Sequence, residues 1–326
     1  MNKKKTYLVV LQWILVVAAY AYLIYRLATF DDYNSFLQQF RSASYWQWVT
    51  FVMALAFFPL NILCEAVKWK YLLQEVEPMS LSEAQRQTYF GFVGAFLTPS
   101  RIGDYPARVT MLHDKSQWLT AIGLGFVGTL ALAFLQVLCG LPACIIIFTD
   151  ILPRAPYTTP LAVICTISLL LQFLLIAFYP SICSRILQYP VKKEKIRLLL
   201  QTLAGFSHQR FFTTCLLSAL RYAVYCLQLW CVLYFCGINL GLYNSVLAIT
   251  AYYLLVTITP SVPIADAAVR GSWSIIIFGA FTPNIAGVAM AAVLLWILNS
   301  ILPMITGTFM KKSENKTPLT SISTSR

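Results

Sequence analysis

Two stretches decide the reading of this chain: "FLTPSRIGDYPARV" at 96–109 and "TITPSVPIADAAVRGS" at 257–272. Each carries Thr-Pro-Ser, then one acid, then an arginine four residues beyond the acid. The residues are Thr98, Pro99, Ser100, Asp104 and Arg108 in the first, and Thr259, Pro260, Ser261, Asp266 and Arg270 in the second. Each also follows an apolar stretch, 89–98 and 242–259, that Pro99 or Pro260 interrupts before it has clearly crossed a bilayer. Gly103 and Pro263 sit just beyond the two breaks. Helices are expected to restart at 104–106 and at 261–263, where a capping residue is followed by proline in the first turn.

The surroundings explain why a polar phrase in such a place matters. Of 326 residues, 59% are hydrophobic and only 11% charged, where soluble domains run near a quarter charged. Apolar runs long enough to cross a hydrocarbon core of roughly 30 Å recur at 7–28, 46–64, 119–149, 161–179, 211–236 and 285–309. The expected fold is therefore an all-α integral membrane protein with about six full spans and two proline-broken segments. It forms a single polytopic domain over 1–310 with a flexible tail at 311–326. Lys3, Lys4 and Lys5 precede the first run as in a signal peptide, but the run is too long and lacks a small-residue cleavage site, so it is read as an uncleaved helix.

The net charge of +12 reads as topology signal and anionic-lipid contact, with no nucleic acid implied. Asp31, Asp32 and Arg41 place the loop at 29–45 outside. Arg185, Lys192, Lys193, Lys195, Arg197 and Arg210 place the loop at 181–210 inside, with both termini cytoplasmic. Six spans satisfy these sides only if the two broken segments are re-entrant from opposite faces. The chain is then an inverted repeat, approximately 46–149 and 211–309. Broken helices meeting near the midplane from two inverted halves are a transporter plan.

Arg101, Asp104, Arg108, Asp266 and Arg270 cluster at the breaks. At about 2.5 to 3.5 kcal/mol for each ionised group near the bilayer centre, the five would cost on the order of 12 to 18 kcal/mol if unpaired. That exceeds a typical stability of about 5 to 15 kcal/mol, so they are paired, hydrated or facing a ligand. Two Asp–Arg pairs at helical spacing leave Arg101 over, and a spare arginine beside helix N-termini suits a phosphate. The plainer reading makes Asp104 an N-cap and Arg108 its partner.

Glu65, with Lys68 and Lys70 beyond it, reads either as snorkelling interfacial charge or as a proton or cation site facing a cytoplasmic cavity. Arg221 falls about ten residues into the fifth span if that span starts at Phe211, and reads as an interfacial anchor, the preferred reading, if the helix enters the membrane nearer Tyr222. The segment 191–208 reads as a surface helix, and Gly123, Gly125 and Gly128 as close helix packing. His113 and His208 lie in no catalytic or metal motif, there is no nucleotide loop, and the nine cysteines read as small buried hydrophobes, so neither enzyme nor cofactor is expected.

"PSRIGDYPARV" at 99–109 resembles the Pro-x-Arg-x-Gly-Glu…Arg motif of the lysylphosphatidylglycerol synthase transmembrane-region family. "TPSVPIADAAVRGS" at 259–272 resembles that family's second motif, and "EAVKWKYLL" at 65–73 its Arg/Lys-Trp-x-x-Leu-Leu segment. The resemblance covers about 7–310. It implies an inner-membrane protein that moves lipids between leaflets, and it maps onto Pro99, Arg101, Gly103, Asp104, Arg108, Pro260, Asp266 and Arg270. Asp104 stands where Glu is usual, and Ala268 and Gly271 where many members have Gly and Glu. The soluble aminoacyl-transferase domain of longer members is absent, so synthesis of lysyl-lipid is not expected.

The expected function is movement of a phosphate-bearing lipid, anionic or polyprenyl-linked. Arg101, Arg108 and Arg270 would contact the phosphate while Asp104 and Asp266 orient them or carry a proton. Membrane lipids are the expected partners, with a homo-oligomer or a separate lipid-modifying enzyme as further candidates. Two other classes remain open: a non-catalytic subunit serving a lipid or glycan enzyme, and an ion-coupled transporter of a small anion.

Overall fold

The computed structural model describes residues 41–151, 158–190, 193–259 and 263–310, and the described residues form helices without strands. The expected first span at 7–28, the break at Pro260 and Ser261, and the tail at 311–326 lie outside the described residues. The chain is an all-α integral membrane protein. Among the described residues, five helices are long and apolar enough to cross a membrane.

Helix α1 (Tyr45–Leu73) starts on a capping box in which the Ser44 amide donates to Gln47 Oε1 at 2.7 Å and the Gln47 amide to Ser44 Oγ at 3.4 Å. It continues well past the apolar run that ends at residue 64, because Glu65 and Lys68 are paired inside the protein and do not mark a membrane edge. Lys70, by contrast, is exposed.

Helix α2 (Leu81–Leu97) begins on a second capping box, Ser80 with Glu83, and stops at Thr98. The turn Pro99–Arg101 follows, with Ser100 at φ 49° and Arg101 at φ 59°. Two successive non-glycine residues in the left-handed region store about 1 to 2 kcal/mol of strain each. Helix α3 (Asp104–Val109) restarts with Gly103 at the cap position and no side-chain cap bond. Asp104 is thus the first helical residue and not the cap; its carboxylate is turned to Arg108 instead.

Helix α4 (Trp118–Ile146) ends in a π-helical turn, Ile147–Ile151. Helix α5 (Thr158–Leu187) is bent by 50° between Thr166–Leu174 and Phe178–Leu187, so it is a sixth span only if the bent pair counts as one. Helix α6 (Glu194–Gly205) lies at the surface against α4 and α5, as expected for 191–208.

The second half runs α7 (His208–Phe235), α8 (Gly241–Ile258), α9 (Pro263–Phe278), α10 (Ile285–Trp296), a π-helical turn (Ile297–Ile301) and α11 (Leu302–Thr308). The order of elements therefore recurs: long helix, short helix, break, short helix, long helix carrying a π turn. α8 is among the five helices long and apolar enough to cross, whereas α2 is one residue shorter and carries Glu83 and Arg86.

Packing between the halves is crossed. α1 lies along α7, α4 of the first half packs on α8 of the second, and α11 of the second packs on α2 of the first. Glycines make both crossed contacts close: a Cβ on Gly140 would meet Thr250 O at 2.7 Å and one on Gly307 would strike Tyr89 O. Gly123, Gly125 and Gly128 do the same for Leu199, Tyr105 and Leu72, which fits the close-packing reading of that spacing. At the polar end, the 74–80 loop is tied down by Glu77, which accepts from the His113 amide at 3.1 Å, and by Glu75 paired with Arg210.

Candidate functional site

Each break is stitched by its threonine. Thr98 Oγ1 donates to Gly94 O at 2.8 Å and accepts from the Gly103 amide at 2.7 Å. Thr259 Oγ1 donates to Leu255 O at 2.7 Å and accepts from Trp273 Nε1 at 2.9 Å. Thr98 thereby supplies a partner to the Gly103 amide, and Thr259 ties the end of α8 to α9. The repeated threonine thus has a structural job that its spacing alone does not reveal.

Behind the first break lies a buried ionic cluster. Arg108 Nε and Nη2 donate to the Asp104 carboxylate at 2.7 and 3.0 Å, and its Nη1 to Glu65 Oε1 at 3.0 Å. The other oxygen of Glu65 takes Lys68 Nζ at 2.8 Å and Arg221 Nη1. Arg221 further donates to Asn61 Oδ1 at 3.2 Å and to the Tyr225 hydroxyl at 3.0 Å. Glu65, Lys68 and Arg108 are each 1% exposed. Trp69 and Tyr105 stack 5.6 Å apart, and the Arg108 guanidinium lies over both rings at 5.3 and 4.9 Å. Gln87 fixes Trp69 by accepting from Nε1 at 2.7 Å.

Lys68 and Arg221 are therefore not interfacial. Both are buried against Glu65, which sits on a different helix from Arg221 and Arg108 and accepts from all three side chains. Sequence reasoning missed their membership. The available signal was Arg221 with Tyr225 one turn on, and Lys68 three residues after Glu65, both beside apolar runs.

The second break has its own pair, Arg270 Nε to Asp266 Oδ2 at 3.0 Å. The turn Pro99–Arg101 packs against α9, the helix that follows the second break. Between them is a small cleft of about 30 Å³, lined among others by Thr98, Ser100, Arg101, Asp266, Trp296 and Ser300. Arg101 lies over the Phe92 ring at 5.1 Å and forms no ion pair with the described residues. Ser300 belongs to the π turn, and its neighbour Asn299 donates to Gln228 Oε1 at 2.9 Å, tying that turn to α7. The first break and α9 thus place Arg101 and Asp266 around one locus, with Arg270 paired to Asp266, while Asp104, Arg108 and Glu65 form a second one.

A polytopic helical protein with charged side chains at two helix breaks, held by a buried ion network, is the class this defines. The chain belongs to the lysylphosphatidylglycerol synthase TM region family, which matches residues 12–307. No curated protein matches it. Membership makes this a membrane protein related to lipid handling.

Proposed function

We propose that the protein moves a phosphate-bearing lipid, anionic or polyprenyl-linked, between the leaflets of the inner membrane. It acts as a carrier and not as an enzyme. One observation carries this reading: Arg101, a strained arginine with no ion pair among the described residues, faces a cleft that Asp266 of α9 also lines. A cation held this way at a helix break fits a phosphate oxygen.

In this reading the halves are inverted, the broken segments enter from opposite faces, and both termini are cytoplasmic. The recurring element order and crossed packing support it. Arg101 and Arg270 hold the phosphate. Arg108 joins them only after releasing Asp104 or Glu65, since its three nitrogens are engaged in the conformation described. A cleft of about 30 Å³ has room for water and not for a headgroup, so cargo enters when the halves part.

The test is a leaflet-resolved assay in proteoliposomes holding this protein alone, with labelled anionic and polyprenyl-phosphate lipids. Movement of one class, lost in Arg101→Gln, supports the reading. Folded wild type that moves none of them overturns it in favour of a subunit role, and movement of a soluble anion alone points to an anion transporter.

A further inference from the structure

The ionic cluster does not balance. Among the described residues it holds three cationic side chains, Lys68, Arg108 and Arg221, and two carboxylates, Glu65 and Asp104. Asp104 takes two bonds from Arg108, and Glu65 is shared by Arg108, Arg221 and Lys68. One positive charge is left in a site where Glu65, Lys68 and Arg108 are buried and Asp104 is only partly exposed, and where each uncompensated ion is costly. Arginine does not lose its proton in proteins, whereas a buried lysine readily does.

Hydrogen-bond geometry points the same way. An ammonium has three N–H groups to satisfy, and a neutral amine has two. Lys68 Nζ has two acceptors, Glu65 Oε2 at 2.8 Å and the Gly128 carbonyl at 3.4 Å. The other titratable groups around it are Asp104, Arg108 and Tyr105 on α3 and Arg221 and Cys215 on α7, while α2 contributes the neutral Gln87 to this region. None of them adds a third acceptor to Nζ among the described residues.

We propose that Lys68 is a proton-exchange site. Its ammonium releases H⁺ to water when the cluster closes as described, leaving the amine, and takes H⁺ back when Arg108 or Arg221 leaves Glu65. The molecule thereby holds a site for a coupling ion, the proton, distinct from the cleft at the first break.

The sign follows from linkage. If unfolding or opening restores a proton to Lys68, the folded state gains as pH rises, by up to tenfold in the folding equilibrium per pH unit, until about pH 10.4, where a free lysine is itself deprotonated. The experiment is the reversible stability of the full chain in detergent between about pH 6 and about pH 10, for wild type, Lys68→Met and Lys68→Gln. We expect wild type to gain stability with pH and both variants to lose that part of the slope. A flat wild type overturns the proposal, as does a folded variant that keeps the full slope. If neither neutral variant folds, the positive charge is required and the proposal also falls. The measurement involves no transport, so its outcome is independent of the lipid-carrier reading.

Discussion

At the scale of single residues, Arg101 separates a ligand contact from a structural tie. Its backbone is in the left-handed region and it forms no ion pair with the described residues. Arg101→Gly should therefore hold or raise thermal stability, by up to about 1 kcal/mol. Lipid movement should fall by the roughly 1.5 to 3 kcal/mol of a charged hydrogen bond. Loss of stability with unchanged movement per folded molecule would make it a tie. Glu65 is the opposite case. Glu65→Gln leaves Arg221 and Lys68 without a carboxylate and should cost about 3 to 5 kcal/mol. Asp104→Asn, which leaves Arg108 its bond to Glu65, should cost less. Adding Arg108→Gln to Asp104→Asn should recover part of the loss, with a coupling of about 0.5 to 3 kcal/mol in a double-mutant cycle. Strict additivity would mean that the 2.7 Å contact between them contributes nothing.

At the scale of elements, glycines at the crossed contacts are the sensitive points. Gly140→Ala and Gly307→Ala would each push a methyl group into a backbone carbonyl of the other half, and each should cost about 1 to 3 kcal/mol in a thermal melt. Gly271→Ala in α9 meets nothing within 4 Å and should stabilise by up to about 1 kcal/mol. Equal effects at all three would show that the close approach of α4 to α8 and α11 to α2 is not needed. The long helices were legible in the sequence because hydropathy marks them, whereas their starts on Ser44, Ser80 and Ser207 were not read from it. The end of α1 was not legible, since a hydropathy run stops at Glu65 whether that charge meets headgroups or Arg221. Partners 156 residues apart leave no local pattern, so the Asp104–Arg108 and Asp266–Arg270 pairs could be read from spacing whereas the Glu65 network could not.

At the scale of the whole molecule, the proposed inverted arrangement makes a claim about sides. A single cysteine placed at Lys193 should be shielded from an impermeant thiol reagent added outside intact cells, and should react once the membrane is opened. Labelling from outside would put the loop between α5 and α6 on the wrong face and remove the basis for opposed breaks.

The crossed packing also has a consequence in time. The slot on α2 is filled by α11, some 200 residues later in the chain. At about 5 to 20 residues per second, α2 waits roughly 10 to 40 s after synthesis for its neighbour. During that interval its face at Tyr89 and Val93, where Gly307 of α11 will seat, can be sheltered only by lipid, the insertion machinery or a chaperone. A chain severed between α5 and α6 should accordingly yield two fragments that are degraded when made singly and persist when made together. Biogenesis of this protein is thus a problem of keeping an unfinished first half soluble in the bilayer until the last helix arrives.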